Sequence, residues 1–432
     1  MSGTLTYVGF GFGAIQAGLF LHEARRSGAY RRLVVAEVVP EAVEALRRAG
    51  GRFTVNIAHE DRIEQAEGGP VEALNPHAAG DRELLAEAIA EAESVGTAVP
   101  SVAHYVSSGP GSLHRILAAG LRRKAARRGP RAVVYTAENH NHAAEILEDR
   151  VREEIPPGER EAALARVRFL NTVIGKMSGT VPDPSLLRSR GLAPVTPGAS
   201  RAFLVEAFNR ILISRIRFGD APGEPPFRRG IAVFEEKDDL LPFEEAKLYG
   251  HNATHALAAY VGIFRGAARM SDLRDLPGVL PFLRAAFLEE SGEALLRKYA
   301  GLDPLFTPEG YARYADDLLG RMTNPYLQDT VERVGRDPRR KLGWDDRLVG
   351  TMRLALRQGV RPRRYAVGAA AAAAVLDRPR WESGAPLGEL LNPLWPGEDA
   401  REVLPLIEEG RSILQIWRDE GFPDLEHLVR PG

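Results

Sequence analysis

Two clusters of residues could do chemistry, and they lie far apart in the chain. The first is Gly9-Phe10-Gly11-Phe12-Gly13-Ala14, which fits G-x-G-x-x-(G/A). In such a loop the first glycine allows a tight turn and the second lets a pyrophosphate approach the backbone. A small third residue lets helix pack on strand. The phosphates then rest on the amino terminus of the following helix. Glu37 stands 23 residues beyond Ala14, near the spacing of a carboxylate that accepts hydrogen bonds from the ribose hydroxyls and repels a 2′-phosphate. No arginine follows in Val38-Val39-Pro40. The pattern therefore favours NAD over NADP, with flavin a weaker fit. Ordinary turns also contain glycine, and a plain strand–turn–helix with a surface glutamate is the alternative.

The second cluster is Lys247-x4-Asn252-x2-His255, within KLYGHNATHALAAYVG. On a helix, positions 247, 251, 255 and 258 share a face, with 252 beside them. Polar groups on so apolar a helix are costly unless paired or used. A desolvated lysine loses its proton readily and can serve as a general base. An asparagine can donate to a developing alkoxide, and a histidine can orient a hydroxyl. The alternative is a partly exposed helix with Lys247 paired to Glu244 or Glu245. A metal reading also exists, since His251 and His255 are four apart and His140 and His142 lie elsewhere. Asn252 takes the place of the HExxH glutamate, however, and no metal is expected.

Composition narrows the field. The chain has no cysteine, which removes disulfides, thiolate nucleophiles and Cys-ligated metals. Lysine occurs only at positions 124, 176, 237, 247, 298 and 341 among 57 basic residues, so each lysine is conspicuous. A net charge of −1 argues against a nucleic-acid partner. Residues 2–21 carry no charge, but no basic stretch precedes them, and Gly9, Gly11, Gly13, Gly18 and Gln16 interrupt them. No membrane role is expected, and the cytoplasm is the expected location.

The elements that must hold these clusters can be read coarsely. Residues 4–9 and 32–39 look like strands flanking a helix at 14–26, with another helix at 40–48. Residues 94–99, 132–136 and 167–174 look like further strands, with a helix at 111–128. This is a βαβ pattern and implies a parallel sheet. Two proline- and glycine-rich stretches, 178–200 and 218–230, bracket a helix-like segment at 202–213. Beyond about residue 242 helical stretches dominate, and an alanine run at 369–374 would let two helices pack closely. The reading is an α/β nucleotide-binding domain over 1–240 followed by an all-helical substrate and catalytic domain over 241–432.

The motif at 247–262, together with RMTNPYLQDTVERVGRDPRRKLGWDDRL at 321–348, resembles the polyol-specific long-chain dehydrogenase family. The resemblance runs from near Tyr7 to about Ala374. It includes VAEVVPEAVEAL, SVGTAV at 94–99 and AEN at 137–139. It implies a Rossmann-type domain with a parallel-sheet core, a helical domain, an active site between them and chemistry without metal. It implies Lys247 as general base, Asn139 and Asn252 holding the reacting oxygen, and His255 on a neighbouring hydroxyl. Thr97, Ala98 and Val99 would line the nicotinamide side of NAD. The implied activity interconverts a polyol or polyol phosphate and a ketose or ketose phosphate. A hexuronate reductase or an unphosphorylated sugar-alcohol dehydrogenase is the alternative. A silent NAD(H)-binding sensor is a different class, against which the retained Lys247, Asn252 and His255 argue.

The chain also departs from the family pattern. Ile174-Gly175-Lys176 replaces the usual V-D-R near the expected substrate, which marks Lys176 as a substrate-binding candidate. Phe10, Phe12 and Gln16 are unusual in the glycine loop. Arg333, Arg336 and Lys341 could hold a phosphate, since arginine forks match it bidentately. Helix capping and salt bridges are their other reading. The partner is expected to be a small polyol or sugar phosphate, and the assembly a monomer or homodimer.

Overall fold

The computed structural model describes residues 3–219 and 227–430. Part of the proline- and glycine-rich stretch at 218–230 therefore lies outside the described residues. The chain divides into two compact units, Met1–Leu241 and Pro242–Gly432.

Among the described residues twelve strands build the first unit: β1 (Leu5–Phe10), β2 (Tyr30–Ala36), β3 (Phe53–Ala58), β4 (Ile63–Gly68), β5 (Glu72–Leu74), β6 (Ser94–Thr97), β7 (Ala132–Thr136), β8 (Val167–Ile174), β9 (Ser178–Val181), β10 (Ala202–Glu206), β11 (Ile211–Ser214) and β12 (Phe234–Lys237). Eight of them form one sheet in the order β12-β11-β8-β7-β6-β1-β2-β5. From β5 to β8 the pairing is parallel, and β11 turns antiparallel against β8. Parallel strands covered on both faces read as continuous apolar runs, and all six residues of β1 are buried. Val8 and Phe10 face a layer of helices through Leu117, Leu121 and Leu147. Tyr7 faces the opposite core, which contains Phe20, Val55 and Phe203. Strand order reverses at β1, between β2 and β6, and a crevice opens beyond the carboxyl ends of strands at such a point.

A second sheet, β4-β3-β10-β9, closes that opposite core. It has no counterpart in the sequence reading, which took 202–213 as helix-like. The segment instead forms β10, paired with β3 and β9, and β11, paired with β8 in the main sheet. A short apolar run cannot be assigned to strand or helix by periodicity alone, and here pairing in two sheets decides. The polar β4 (IEQAEG) hid the sheet further, because only one of its residues is fully buried.

The second unit is helical. Gly410 of the helix Val403–Asp419 lies so close to the helix Arg363–Leu376 that an added Cβ would sit 2.5 Å from the Ala366 carbonyl oxygen. Ala369 to Ala373 are all fully buried, so small residues bring these helices together. Two helices contain π turns, at Ala246–Asn252 and Ala286–Gly292. Among the described residues no helix is long and apolar enough to cross a membrane.

Candidate functional site

In the first unit the glycine loop ends β1, and Phe10, Gly11, Phe12, Gly13 and Ala14 line a groove of about 890 Å³ with Glu37, Ala98 and Val99. That volume is in the range of small-molecule and cofactor clefts. Gly11 has φ 81°, and a Cβ there would lie 2.8 Å from the Ala98 carbonyl oxygen, so only glycine fits without strain. A Cβ at Gly13 would meet no atom within 4 Å. Backbone is therefore open to a ligand at Gly13, whereas Gly11 is needed for the close approach of two chain segments. Gly9 stands behind the groove, where a side chain would collide with Gln16.

Two of the unusual loop residues, Phe12 and Gln16, also pack against the core. The Phe12 ring meets Phe53 and Phe203 edge-on at 5.2 and 5.4 Å, which anchors the loop to the second sheet. Gln16 donates from Nε2 to the Tyr7 hydroxyl at 2.9 Å, and the helix opens with a π turn at Gln16–Leu21. Glu37 is buried and accepts from the Phe12 amide at 3.0 Å and the Val39 amide at 2.8 Å. Its carboxylate thus fastens the glycine loop to the end of β2 while still lining the groove.

Thr97 ends β6 and is fully buried, with its hydroxyl donating to Glu138 at 2.8 Å. Asn139, beside Glu138, is exposed in the loop after β7. Lys176 is elsewhere in this unit. Its ammonium donates to the carbonyls of Glu206 and Phe208 (2.9 Å for the latter) and to Asn209 Oδ1 at 2.7 Å. Three acceptors match the three hydrogens of an ammonium. Lys176, expected as a substrate-binding candidate, thus holds the chain after β10 through its ammonium.

In the second unit, Lys247, His251 and Asn252 all lie in the π turn Ala246–Asn252, and His255 follows in the helix Ala253–Arg265. The Ala253 amide bonds the Leu248 carbonyl, an i→i+5 step. The wider turn changes the expected α-helical face, because positions five apart, such as Lys247 and Asn252, now sit on adjacent turns. Lys247 is half-buried, and desolvation, helped by the nearby Arg347 guanidinium, lowers its pKa to about 8. His255 is lowered to about 4, chiefly by burial and then by Arg333, Arg347 and Lys341 against the pull of Asp329. The His255 Nε2 is buried with no hydrogen-bond partner among the described residues. A neutral imidazole of this kind can bond a ligand hydroxyl.

Arg333 holds Asp329 through Nε at 2.5 Å and a second, shorter contact, so its fork is already engaged with a carboxylate. Arg336 is exposed and donates its Nε to the Arg333 carbonyl at 3.2 Å. Lys341 donates to the Val334 carbonyl at 2.6 Å and to that of Arg336, the helix-end contact that its capping reading expected. Two residues were missed in the sequence: Arg347, whose charge acts on both Lys247 and His255, and Glu138. Arg347 lies in the motif at 321–348 and Glu138 in AEN, but neither motif indicates what its charge faces. Among the described residues no three His, Asp or Glu side chains gather as a metal site would require.

Residues 239–401 match the family model for the mannitol dehydrogenase C-terminal domain. A mannitol-1-phosphate 5-dehydrogenase of an Arthrobacter species is 31% identical over 400 residues, covering 92% of this chain and 91% of that one. One from Bacillus licheniformis is 32% identical over 364 residues, covering 84% and 86%. The fold matches that of the Pseudomonas fluorescens mannitol 2-dehydrogenase in a ternary complex with NAD and D-mannitol, with a TM-score of 0.67, 18% identity and coverage of 99% and 95%. The chain belongs to the polyol-specific long-chain dehydrogenase family, oxidoreductases acting on the CH–OH groups of polyols.

Proposed function

We propose that this protein is an NAD-dependent dehydrogenase that interconverts a polyol phosphate and a ketose phosphate, with mannitol 1-phosphate and fructose 6-phosphate as the leading pair. The observation that carries this reading is the 31% identity, over 92% of the chain, to a mannitol-1-phosphate 5-dehydrogenase. The groove at the glycine loop fits NAD in three respects. Gly13 leaves backbone open to the pyrophosphate, Glu37 offers a carboxylate at the end of β2, and the exposed Val38 and Val106 offer apolar surface to adenine. NAD, when bound, supplies the carbon that takes or gives the hydride.

The residues of the chain handle the proton and the oxygen. In oxidation Lys247 Nζ, neutral above its lowered pKa, accepts the proton of the reacting hydroxyl. Asn252 donates to the oxygen as negative charge builds on it, and Asn139 keeps the same role implied by the family pattern. His255, held neutral by burial, bonds a neighbouring hydroxyl through its unpartnered Nε2. In reduction the Lys247 ammonium returns the proton. Arg336, exposed, is the arginine with which we propose the chain meets a phosphate.

One observation favours the alternative substrate class, an unphosphorylated sugar alcohol or a hexuronate: the Arg333 fork is bound to Asp329 and Lys176 is engaged with carbonyls. A panel of fructose 6-phosphate, fructose and keto-uronates with NADH and with NADPH separates these. The proposal expects the phosphorylated ketose with NADH to have the highest kcat/KM. A higher value for fructose or a keto-uronate replaces it with the alternative, and no turnover of any of them overturns both.

A further inference from the structure

Glu138 is a buried carboxylate to which the catalytic account has so far given no part. It stands two residues beyond β7 and gathers three donors from other segments of the first unit. These are the Thr97 hydroxyl at 2.8 Å, the Val99 amide at 2.9 Å and the Tyr105 hydroxyl. Thr97 ends β6, Val99 lines the groove, and Tyr105 closes the 3-10 turn Val102–Tyr105, whose Ala103 and His104 also line it. Glu138 therefore ties three segments along one wall of the groove to the loop after β7. The next residue in the chain is Asn139.

Stability alone does not explain the choice of a carboxylate here. Burial raises its pKa, against the opposing pull of Tyr105, Val99 and Thr97, so an ionised group at this place is held by its donors rather than by solvent. A carboxylate with three charge-assisted hydrogen bonds is stiffer than a neutral amide would be. What it stiffens is the Thr97–Val99 segment and the backbone that carries Asn139.

We propose that Glu138 is a positioning residue: its carboxylate sets the Thr97–Val99 wall and Asn139 in one fixed arrangement for the nicotinamide end of the cofactor and the reacting oxygen. The inference rests on the proposed function, which gives Asn139 and Thr97–Val99 those tasks. A group that only braced the fold would affect melting and the folded fraction. A positioning group affects cofactor affinity and turnover of the folded enzyme.

The test compares Glu138→Gln, which keeps shape and volume, with Tyr105→Phe, which keeps the carboxylate and removes one donor. NADH Kd, kcat per folded molecule and Tm are measured for both, with Asn139→Ala as reference. Glu138→Gln is expected to weaken NADH binding and to lower kcat by about tenfold each, the size of a lost charge-assisted hydrogen bond. Tyr105→Phe is expected to move both in the same direction by less. If Asn139→Ala loses turnover while Glu138→Gln and Tyr105→Phe alter Tm alone, the positioning role is overturned and the site reading stands. If Asn139→Ala turns over like the wild type, both fall. If Glu138→Gln does not fold, Tyr105→Phe decides alone: unchanged Kd and kcat overturn the proposal.

Discussion

At Lys247 burial, with the Arg347 charge beside it, sets the proposed chemistry. An exposed lysine near its usual pKa of about 10.4 would be almost wholly protonated at neutral pH. Here desolvation and Arg347 bring it to about 8, so a useful fraction is neutral. The direction of the pH dependence follows. Oxidation needs the neutral amine, so kcat/KM for the polyol rises with pH and levels off above about 8. Reduction needs the ammonium, so kcat/KM for the ketose is level below about 8 and falls above it. A pH series run in both directions checks this, and two profiles that rise together would remove Lys247 from the proton step. Glu37 combines two tasks at the same scale, since its carboxylate holds the Phe12 and Val39 amides and faces the groove.

At the scale of elements, the two central glycines of the loop separate folding from binding. Gly11→Ala forces a side chain into φ 81° and against Ala98, and should lower stability by about 1–2 kcal/mol or more. Gly13→Ala meets no protein atom and should leave Tm nearly unchanged while weakening NADH binding at least several-fold. Thermal melts and NADH titrations of both variants check this; wild-type binding by Gly13→Ala would contradict the seating of phosphates there. In the second unit Arg364, the second residue of the helix Arg363–Leu376, pairs with the buried Glu290 at 3.4 Å and Glu426 at 2.7 Å. Removing one partner of a buried ion pair costs about 3–5 kcal/mol. Arg364→Ala should lose that much in a denaturant titration, and a loss near zero would mean that packing holds these helices without the charges.

The parts of these elements that were legible share a cause. The strands β1, β6 and β7 are buried throughout and β2 and β8 mostly so, and the glycine loop follows from backbone demands that sequence states directly. The second sheet was not legible, because β4 is mostly exposed and β10 is a short buried strand, four apolar residues and a glutamate, whose partner β3 is far away in the chain. The π turn at Lys247 leaves no pattern in composition, yet it alters which residues share a face. Lys176, Lys341 and Arg333 were conspicuous by type, but their acceptors are carbonyls and one aspartate that only folding assembles. Glu138 was visible in AEN and its three donors were not.

For the molecule as a whole, the absence of cysteine removes disulfide and thiolate chemistry, and the family is NAD-dependent. In the proposed function the groove of the α/β unit seats the carrier, and Lys247, Asn252 and His255 of the helical unit handle the proton and the oxygen. The central claim is that Lys247 moves the proton while the first unit holds the cofactor. The most direct measurement is NADH-dependent reduction of the best ketose substrate by wild type and Lys247→Ala, alongside NADH titration of both. The account predicts that kcat falls by about a thousandfold, the scale of general acid–base catalysis, while the Kd for NADH stays within about twofold. Wild-type turnover by Lys247→Ala would contradict it.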